Sequence, residues 1–351
     1  MHPAYYLLLA FIPISWALAL FTDLSTFTFF ASIIALIPLA RIIGLATTEL
    51  ALQVNPTFSG LINATFGNAI ELIIAFIALS RGLTVLVEAS IVGSILANIL
   101  LLTGLSIFFG GLKYKEQIFN KKSIGVSSTM LIIAIAGLAI PTAFALTNEA
   151  SAFEVQMISE IVAIVLACVY IAGLVFSFKT HKDLFDASDE IKATHEKPVM
   201  TVKFAALLIM AATVFVAFES EFLVTEVQTV ALEVGLTEAF IGVVLIAIVT
   251  NIAEKASAVY FALKNKIDIS IEIGLSSAIQ IALFVVPILV IASRFLGFHF
   301  SLIFSVFEIV SIFLAVMIVN YLSADGKCNW LEGLQLISVY LIIVAAFYFI
   351  G

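Results

Sequence analysis

The sequence predicts an all-α polytopic membrane protein with eleven transmembrane helices: one peripheral N-terminal helix and two inverted five-helix repeats. Three observations support this prediction. Of the 351 residues, 63% are hydrophobic and only 11% are charged, whereas a soluble domain carries about 25% charged residues. The apolar residues form runs long enough to cross a bilayer. An apolar stretch that contains an asparagine and a glutamate also has a counterpart later in the chain, with the same spacing between the two residues.

Each predicted span is a run of about 20 mostly apolar residues, the length that crosses the hydrocarbon core. The first run lacks a basic N-terminal region and is followed at once by a second run, so we expect a retained helix rather than a cleaved signal peptide. The predicted spans are 4–21, 25–45, 57–80, 83–109, 123–146, 155–178, 201–224, 237–262, 268–293, 300–322 and 331–350. The corresponding domains are an N-terminal transmembrane helix at 1–22, a first five-helix repeat at 23–178, a polar and acidic cytoplasmic linker at 179–200, and a second, inverted repeat at 201–351.

The distribution of lysine and arginine predicts the orientation. With the N-terminus in the cytoplasm, the cytoplasmic loops hold 13 of the 16 basic residues; the outer loops hold Arg81 and Arg294, and Lys255 falls inside a span. Because cytoplasmic loops are enriched in lysine and arginine, we predict a multi-pass protein of the cell (inner) membrane with its C-terminus outside. With a net charge of -8, the chain lacks the basic surface expected of a nucleic-acid-binding protein. Its expected partner is the lipid bilayer.

An internal repeat relates the two halves of the chain. Asn68 and Glu71 in FGNAIELIIAF recur in the second half as Asn251 and Glu254 in IVTNIAEKASAV, both at one offset. The same offset aligns VGSILAN with LSSAIQI, which places Ser94 against Ser277. Because each unit contains five spans, an odd number, the second unit must enter the membrane in the opposite orientation. Inverted repeats are typical of secondary transporters, whose substrate site lies at the midplane between the halves.

The paired glutamates predict the chemistry of the site. A charged residue midway along a span costs several kcal/mol and is a functional-site hypothesis by default. If the two spans meet, Glu71 and Glu254, with amide, hydroxyl and backbone carbonyl oxygens, provide the hard ligands that Ca²⁺ prefers. Without the cation, two close carboxylates in a low dielectric cannot both stay ionised. They therefore take up protons. A site that holds either a dication or protons predicts antiport. The alternative is that each glutamate only hydrogen-bonds a neighbouring helix.

The stretches NATFGNAIELI and NIAEKASAV, with GS and Q in the following helices, resemble the signature repeats of the calcium/proton exchangers of prokaryotic type. These form the cation/proton exchanger family of the calcium/cation antiporter superfamily. The resemblance implies an eleven-helix fold that exports cytosolic Ca²⁺ in exchange for H⁺ by alternating access, with no cofactor. It also implies ion ligation by Glu71 and Glu254 and by the carbonyls of Gly67 and Thr250. Polar positions that line the family's site are matched by Asn68, Asn251, Ser94, Ser277 and Gln280.

The second motif departs from the family pattern. The family usually has GNxAEHA, whereas this chain has TNIAEKA, with Thr250 in place of glycine and Lys255 in place of histidine. A threonine can still supply its backbone carbonyl. Lys255 is turned by about 100° from Glu254 on a helix, so two interpretations stay open. In the first, Lys255 is a snorkelling lysine or a helix-paired lysine, whose ammonium is bound by a neighbouring helix. In the second, it is a tethered cation that tunes Glu254 or alters stoichiometry or ion choice.

Further acids lie outside these motifs. The stretches ATTELAL and FESEFLV place Glu49, Glu219 and Glu221 at opposite mouths of the two halves, where their negative potential would gather cations. Ordinary interfacial acids are the alternative. The segment HKDLFDASDEIKATHEKP (181–198) resembles the acidic cytoplasmic helix of the family, which could sense Ca²⁺. A solvated linker is the alternative.

Other function classes fit the sequence less well. A Na⁺/Ca²⁺ or other divalent-cation exchanger is the closest alternative, but the G-T-S-x-P-[DE] motifs expected of the Na⁺/Ca²⁺ branch are missing. A cation channel also uses rings of acids, but inverted repeats favour alternating access. An enzyme is not expected, because the sequence has no H-E-x-x-H or G-x-S-x-G motif. Transport of Mn²⁺ or Na⁺ and a homo-oligomeric state are left open.

Overall fold

The computed structural model describes residues 7–54, 62–63, 65–147, 151–181 and 198–350. The described part of the chain is mostly helical. The α-helices are α1 (Phe11–Phe21), α2 (Ser25–Ala51), α3 (Ala69–Ser80), α4 (Thr84–Leu96), α5 (Thr103–Tyr114), α6 (Lys121–Ala145), α7 (Ala152–Val175), α8 (Val202–Val234), α9 (Glu238–Phe240), α10 (Ala247–Thr250), α11 (Ile252–Ala262), α12 (Ile267–Gln280), α13 (Val286–Leu296), α14 (Val306–Leu322) and α15 (Trp330–Phe349). Several are continued by the π-helical segments π1 (Ala97–Leu102), π2 (Phe176–Thr180), π3 (Ile241–Ile246) and π4 (Ile281–Val285). The strands β1 (Glu116–Ile118) and β2 (Lys327–Asn329) pair antiparallel.

Seven continuous helical stretches in the described residues are long and apolar enough to cross a membrane. An eighth span results if the helical pieces before and after Asn251, which are bent by 56°, form one broken span. The chain is therefore a multi-pass integral membrane protein, as predicted. Three shorter apolar helices, α1, α3 and α14, lie within the predicted spans 4–21, 57–80 and 300–322. The number of complete crossings stays a prediction.

Helix α8 is longer than the predicted span 201–224. Hydropathy falls in the segment that contains Glu226 and Glu233, and the predicted span ended before it. Neither glutamate interrupts a helix, because glutamate is a good helix former. The helix continues to Val234 and stops at Gly235, whose φ of 71° is the left-handed conformation that glycine adopts readily. Because the helix extends to Val234, Glu219 and Glu221 lie farther from its end than the predicted span placed them.

Helix α14 begins later than the predicted span 300–322. The segment before it is apolar but not helical, because its backbone has other partners. The N–H groups of Leu302 and Phe304 donate to the hydroxyls of Ser159 and Thr142, each at 3.0 Å. A capping box then starts α14. Hydropathy alone could not distinguish this non-helical segment from a helical turn.

The bounds of the elements recur at the offset seen in the sequence. The series α4–π1–α5 matches the series α12–π4–α13, and every bound of the first series repeats in the second at that offset, to within a single position. The turns that precede the two series also match, because Gly82 and Asn265, related by the same offset, both have positive φ angles, of 74° and 59°. The offset that relates the two sequence motifs therefore also relates these helix bounds and turns.

The chain divides into two compact units. The first unit comprises Met1–Ser90, Lys192–Ala253 and Phe347–Gly351. Its core is the long helix pair α2 and α8, against which α1 and α3 pack. The two long helices end at Ala51 and Val234, which the repeat offset also relates. This unit therefore combines corresponding helices of both halves of the sequence.

The second unit comprises Ile91–Ile191 and Glu254–Ala346. Helix α12 packs against α5, π1 and α6, helix α14 packs against α6, and α13 packs against α7. These elements again come from both halves of the sequence. Serine, threonine and asparagine side chains are buried among these elements, as are Gln117, Lys255 and Glu308.

A two-stranded ribbon, which the sequence did not predict, connects the loops after α5 and α14. The buried side chain of Gln117 donates from Nε2 to the carbonyl oxygen of Ala262 at 3.0 Å, at the end of α11. The ion pair with Glu116, at 3.0 Å, raises the pKa of Lys327. Burial raises the pKa of the Cys328 thiol to about 12, so this cysteine stays protonated at physiological pH.

Close packing of α12 against π1 leads to a stability prediction. A Cβ on Gly274 would lie 2.8 Å from the carbonyl oxygen of Asn98 and 2.8 Å from Thr103 Oγ1. We therefore expect Gly274→Ala to destabilise the protein by about 1–3 kcal/mol through overpacking, measured as a lower midpoint of thermal unfolding in detergent. Gly125→Ala is the matched control, since nothing lies within 4 Å of the added methyl group. Equal midpoints for the two variants would contradict the expectation.

Candidate ion-binding site

Both Asn–Glu motifs lie at a helix break. Asn68 precedes α3 with φ of -110° and ψ of 24°, and Asn251 separates α10 from α11 with φ of -100° and ψ of 12°. These nearly equal angles fall in the sparsely populated bridge region, outside the regular helix. Both asparagines are buried, with 1% of each residue exposed. The repeat therefore extends to the backbone conformation of the motifs.

Each glutamate of the motifs lies in the first turn of the helix that follows the break. Glu71 lies in the first turn of α3 and Glu254 in the first turn of α11. The N-terminus of a helix carries a partial positive charge that stabilises an ionised carboxylate. Thr250 and Gly67 are the last helical residues before the two breaks, where carbonyl groups no longer have partners farther along the same helix.

The departure at Thr250 has a structural role. Asn251 donates from Nδ2 to the Thr250 hydroxyl at 3.0 Å and to the carbonyl oxygen of Ala247 at 3.1 Å. The amide nitrogen is thus directed back towards α10, and the amide oxygen is the end that can ligate a cation. A glycine at position 250 would keep the backbone carbonyl but would lose the hydroxyl contact.

The second unit holds a buried polar pair that includes a residue missed in the sequence. Ser94 and Ser277 are both buried, and Gln280 ends α12 beside π4. Asn98 is fully buried and donates from Nδ2 to Ser277 Oγ at 2.9 Å. Its carbonyl oxygen accepts from Thr103 Oγ1 at 3.1 Å, five residues ahead in the widened π-helical turn. Asn98 ends the repeated stretch VGSILAN, so the available signal was its polarity within an apolar repeat.

Lys255 is buried, with only 7% of the residue exposed. A snorkelling lysine keeps its charged head in water while its stem covers apolar surface. The burial of Lys255 is inconsistent with that interpretation. The helix-paired lysine and the tethered cation that tunes Glu254 both stay open.

The three acids predicted at the mouths have different surroundings. The prediction for Glu219 is wrong, because this residue is fully buried near the middle of α8. Glu221 is 45% exposed and forms an ion pair with Arg81. Glu49 accepts hydrogen bonds from the N–H groups of Val199 and Met200 at 2.8 and 3.0 Å, so it anchors the chain that leads into α8.

The acidic segment predicted at 181–198 lies mostly outside the described residues. Its acids, which carried the hypothesis of a Ca²⁺ sensor, are Asp183, Asp186, Asp189, Glu190 and Glu196. Within the described ranges, no group of three or more His, Cys, Asp and Glu side chains is arranged to hold a metal ion.

A membrane-embedded helix bundle whose helices break at buried asparagines, with a glutamate in the next turn, belongs to the class of secondary transporters. The sequence matches the family described as sodium/calcium exchanger protein over residues 24–179 and 204–349. This chain belongs to that family. The resemblance predicted from the Asn–Glu motifs is thereby confirmed.

Several relatives align with nearly the whole chain. A Ca²⁺/H⁺ antiporter of Aphanothece halophytica is 42% identical over 334 residues, which cover 92% of this chain and 90% of that protein. The Ca²⁺/H⁺ antiporter ChaA of Bacillus subtilis is 42% identical over 318 residues, with 90% of each chain covered. The solved structure of native YfkE, described in a second structure as a Ca²⁺/H⁺ antiporter protein, is 38% identical with a TM-score of 0.86. It covers 98% of this chain and 99% of its own.

Proposed function

We propose that this protein is a secondary active antiporter that exports cytosolic Ca²⁺ in exchange for H⁺ by alternating access. The observation that carries the proposal is the pair of matching helix breaks, each with a glutamate in the next helical turn. A break supplies backbone carbonyls and a helix N-terminus inside the bilayer, which an unbroken apolar helix does not offer. The three relatives described above, which bear the name Ca²⁺/H⁺ antiporter, support the choice of ions.

We assign the ion to a midplane site built on Glu71 and Glu254. Ca²⁺ takes six to eight oxygen ligands in proteins, which is more than two carboxylates provide. Neutral oxygens must therefore complete the shell. The proposed donors are the amides of Asn68 and Asn251, the carbonyls of Gly67 and Thr250, and the polar side chains of Ser94, Ser277 and Gln280.

Competition for the same carboxylate oxygens couples the two ions. After Ca²⁺ leaves, two close carboxylates in a low dielectric take up protons. Ca²⁺ can bind again only when those protons leave. If the site opens to one side of the membrane at a time, this mutual exclusion converts inward proton flow into outward Ca²⁺ flow. The transported ions are substrates, and the mechanism requires no cofactor.

The proposed architecture has eleven spans, with an N-terminal helix at 1–22 and inverted repeats at 23–178 and 201–351. The repeated helix bounds and the repeated breaks support this division. The cytoplasmic linker at 179–200, the cytoplasmic N-terminus and the location in the inner membrane follow from the distribution of basic residues.

Of the acids predicted at the mouths, Glu221 and Glu49 stay candidates for ion access. Both side chains are partly exposed, so they can raise the local concentration of cations. The two have different constraints, because Glu221 is paired with Arg81 and Glu49 is held by backbone N–H groups. We therefore expect Glu221→Gln to affect Ca²⁺ capture more than Glu49→Gln, which should mainly affect folding.

The decisive experiment separates the exchanger from its alternatives. Radiolabelled Ca²⁺ uptake into proteoliposomes is measured with an imposed proton gradient, an imposed sodium gradient, or neither. The proposal predicts uphill uptake with the proton gradient alone. Uptake driven only by sodium would identify a Na⁺/Ca²⁺ exchanger, and downhill flux without coupling would identify a channel. Unlabelled Mn²⁺ as competitor tests whether other divalent cations are transported.

Lys255 provides a specific prediction within this mechanism. We expect Lys255→His to retain transport and to move the pH of half-maximal Ca²⁺ uptake upward by at most about one unit, because the buried ammonium no longer opposes protonation of the neighbouring carboxylate. The measurement is Ca²⁺ uptake against pH in proteoliposomes. An unchanged profile would mean that the lysine charge does not reach Glu254 and would favour the helix-paired interpretation.

A further inference from the structure

The carboxyl group of Glu219 lies in a buried contact between α8 and the N-terminal helix α1. Its Oε1 atom lies 2.9 Å from Ser15 Oγ and accepts a hydrogen bond from Trp16 Nε1 at 3.0 Å. Glu219 and Ser15 are both fully buried. The ring of Trp16 also packs against Phe218, with centroids 4.9 Å apart. A carboxyl group in the middle of α8 therefore holds the only polar contacts described between α1 and that helix.

The contacts of Ser15 require more hydrogens than the serine supplies. Ser15 Oγ lies 2.8 Å from the carbonyl oxygen of Ile12 and 2.9 Å from Glu219 Oε1. A hydroxyl has one hydrogen, and a carbonyl oxygen can only accept. If the serine donates to Ile12, the contact between Ser15 and Glu219 is satisfied only when the carboxyl group itself carries a hydrogen.

The second oxygen of the carboxyl group lies beside another serine. Glu219 Oε2 and Ser32 Oγ are both buried and have no hydrogen-bond partner among the described residues. Ser32, on α2, lies beside the Glu219 carboxyl group. A buried polar atom without a hydrogen bond costs about 1–3 kcal/mol. After a small rotation of either side chain the two groups can form a hydrogen bond, with either one as the donor.

Among the described residues, the groups that contact the Glu219 carboxyl group are neutral. They are Ser15 and Trp16 from α1 and Ser32 from α2. The described part of α1 has no charged residue, and the charged residues on the other helices that pack here are Arg41 and Glu49 on α2, Glu71 on α3, and Lys203, Glu221, Glu226 and Glu233 on α8. A buried carboxylate without a facing cation is costly, and such a group becomes neutral instead.

We propose that Glu219 is a proton-binding residue, separate from the paired glutamates, that docks α1 in its neutral acid form. The proton comes from water and forms an O–H bond on the carboxylate, and the hydrogen is donated to Ser32 or Ser15. An undocked, hydrated glutamate is ionised above about pH 4.3, so docking takes up one proton. Raising the pH returns that proton to water and weakens the docking of α1. The inference does not depend on which ions the protein exchanges.

The two tryptophans of the chain, Trp16 and Trp330, allow a direct test. In a Trp330→Phe background, Trp16 is the only tryptophan and its indole N–H contacts Glu219. We expect its fluorescence in detergent to change as the pH is raised and the carboxylate forms. Adding Glu219→Gln should abolish the change, because the amide cannot titrate. Adding Glu226→Gln, two helical turns further along α8, should preserve it.

Two results would overturn the inference: an emission that does not respond to pH in the background protein, or a response of equal size in Glu219→Gln. Infrared spectroscopy gives a second measurement. The background protein at neutral pH should show a protonated-carboxyl band that is lost in Glu219→Gln and retained in Glu226→Gln. A band of equal size in the background protein and in Glu219→Gln would show that Glu219 is ionised. Size-exclusion chromatography establishes that each variant is folded before either measurement.

Discussion

Glu71→Gln and Glu254→Gln are each expected to abolish Ca²⁺ uptake while leaving the protein folded. Glutamine has the size and shape of glutamate but cannot carry the charge that holds a dication. Removing one partner of a buried ionic interaction costs about 3–5 kcal/mol, which corresponds to a loss of roughly 100-fold or more in affinity. Each residue lies in the first turn of its helix, where a neutral amide is tolerated. Uptake driven by a proton gradient in proteoliposomes measures the effect.

The matched control is a glutamate on another membrane helix. Glu160, on α7, forms an ion pair with Arg294 and lies outside both Asn–Glu motifs. We expect Glu160→Gln to retain exchange, since the proposed mechanism assigns this residue no ion. Substantial exchange by Glu71→Gln or Glu254→Gln would remove that glutamate from the proposed site. Loss of exchange in all three variants would instead indicate a general sensitivity of the bundle to losing acids.

The helix breaks show how far the sequence could predict the proposed site. An asparagine and a glutamate in an apolar run marked the position of each motif, and the repeated spacing related the two motifs. Neither feature predicts that the helix stops at Asn68 and Asn251. A helix interior tolerates an asparagine at a small cost in propensity, so the same letters fit a continuous span. The break depends on packing and on contacts such as Asn251 to Thr250, which appear only in three dimensions.

Glu219 is a residue whose contacts could not be predicted from the sequence. Its type and position were visible, but its partners lie far away in the sequence, on α1. Hydropathy placed it near the end of a span because the residues that follow are more polar. A helix ends where capping and packing end it, here at Gly235, and not where mean hydropathy falls. The family resemblance was recognisable from a short motif because those residues carry chemistry, whereas the contact partners of Glu219 follow no local pattern.

The apparent affinity for Ca²⁺ is expected to weaken steeply as pH falls from neutral to mildly acidic values. Protons and Ca²⁺ compete for the carboxylates of Glu71 and Glu254, so each proton displaced on binding makes the affinity fall about tenfold per pH unit where the acids titrate. With two acids the limit is about 100-fold per unit. The direction of the change is fixed, because lower pH fills the site with protons and higher pH empties it.

Binding must also release protons, because affinity and proton release are two views of one linked equilibrium. Titration calorimetry in buffers of different ionisation enthalpy measures the number released, and Ca²⁺ binding against pH in detergent measures the affinity. The slope of log affinity against pH must equal the proton count at the same pH. The variants Glu71→Gln and Glu254→Gln should each lower that count. If binding were independent of pH from about 5 to 8, where at least one acid of a close pair should titrate, the two glutamates could not be the shared site for protons and Ca²⁺. Proton coupling would then have to reside elsewhere in the chain.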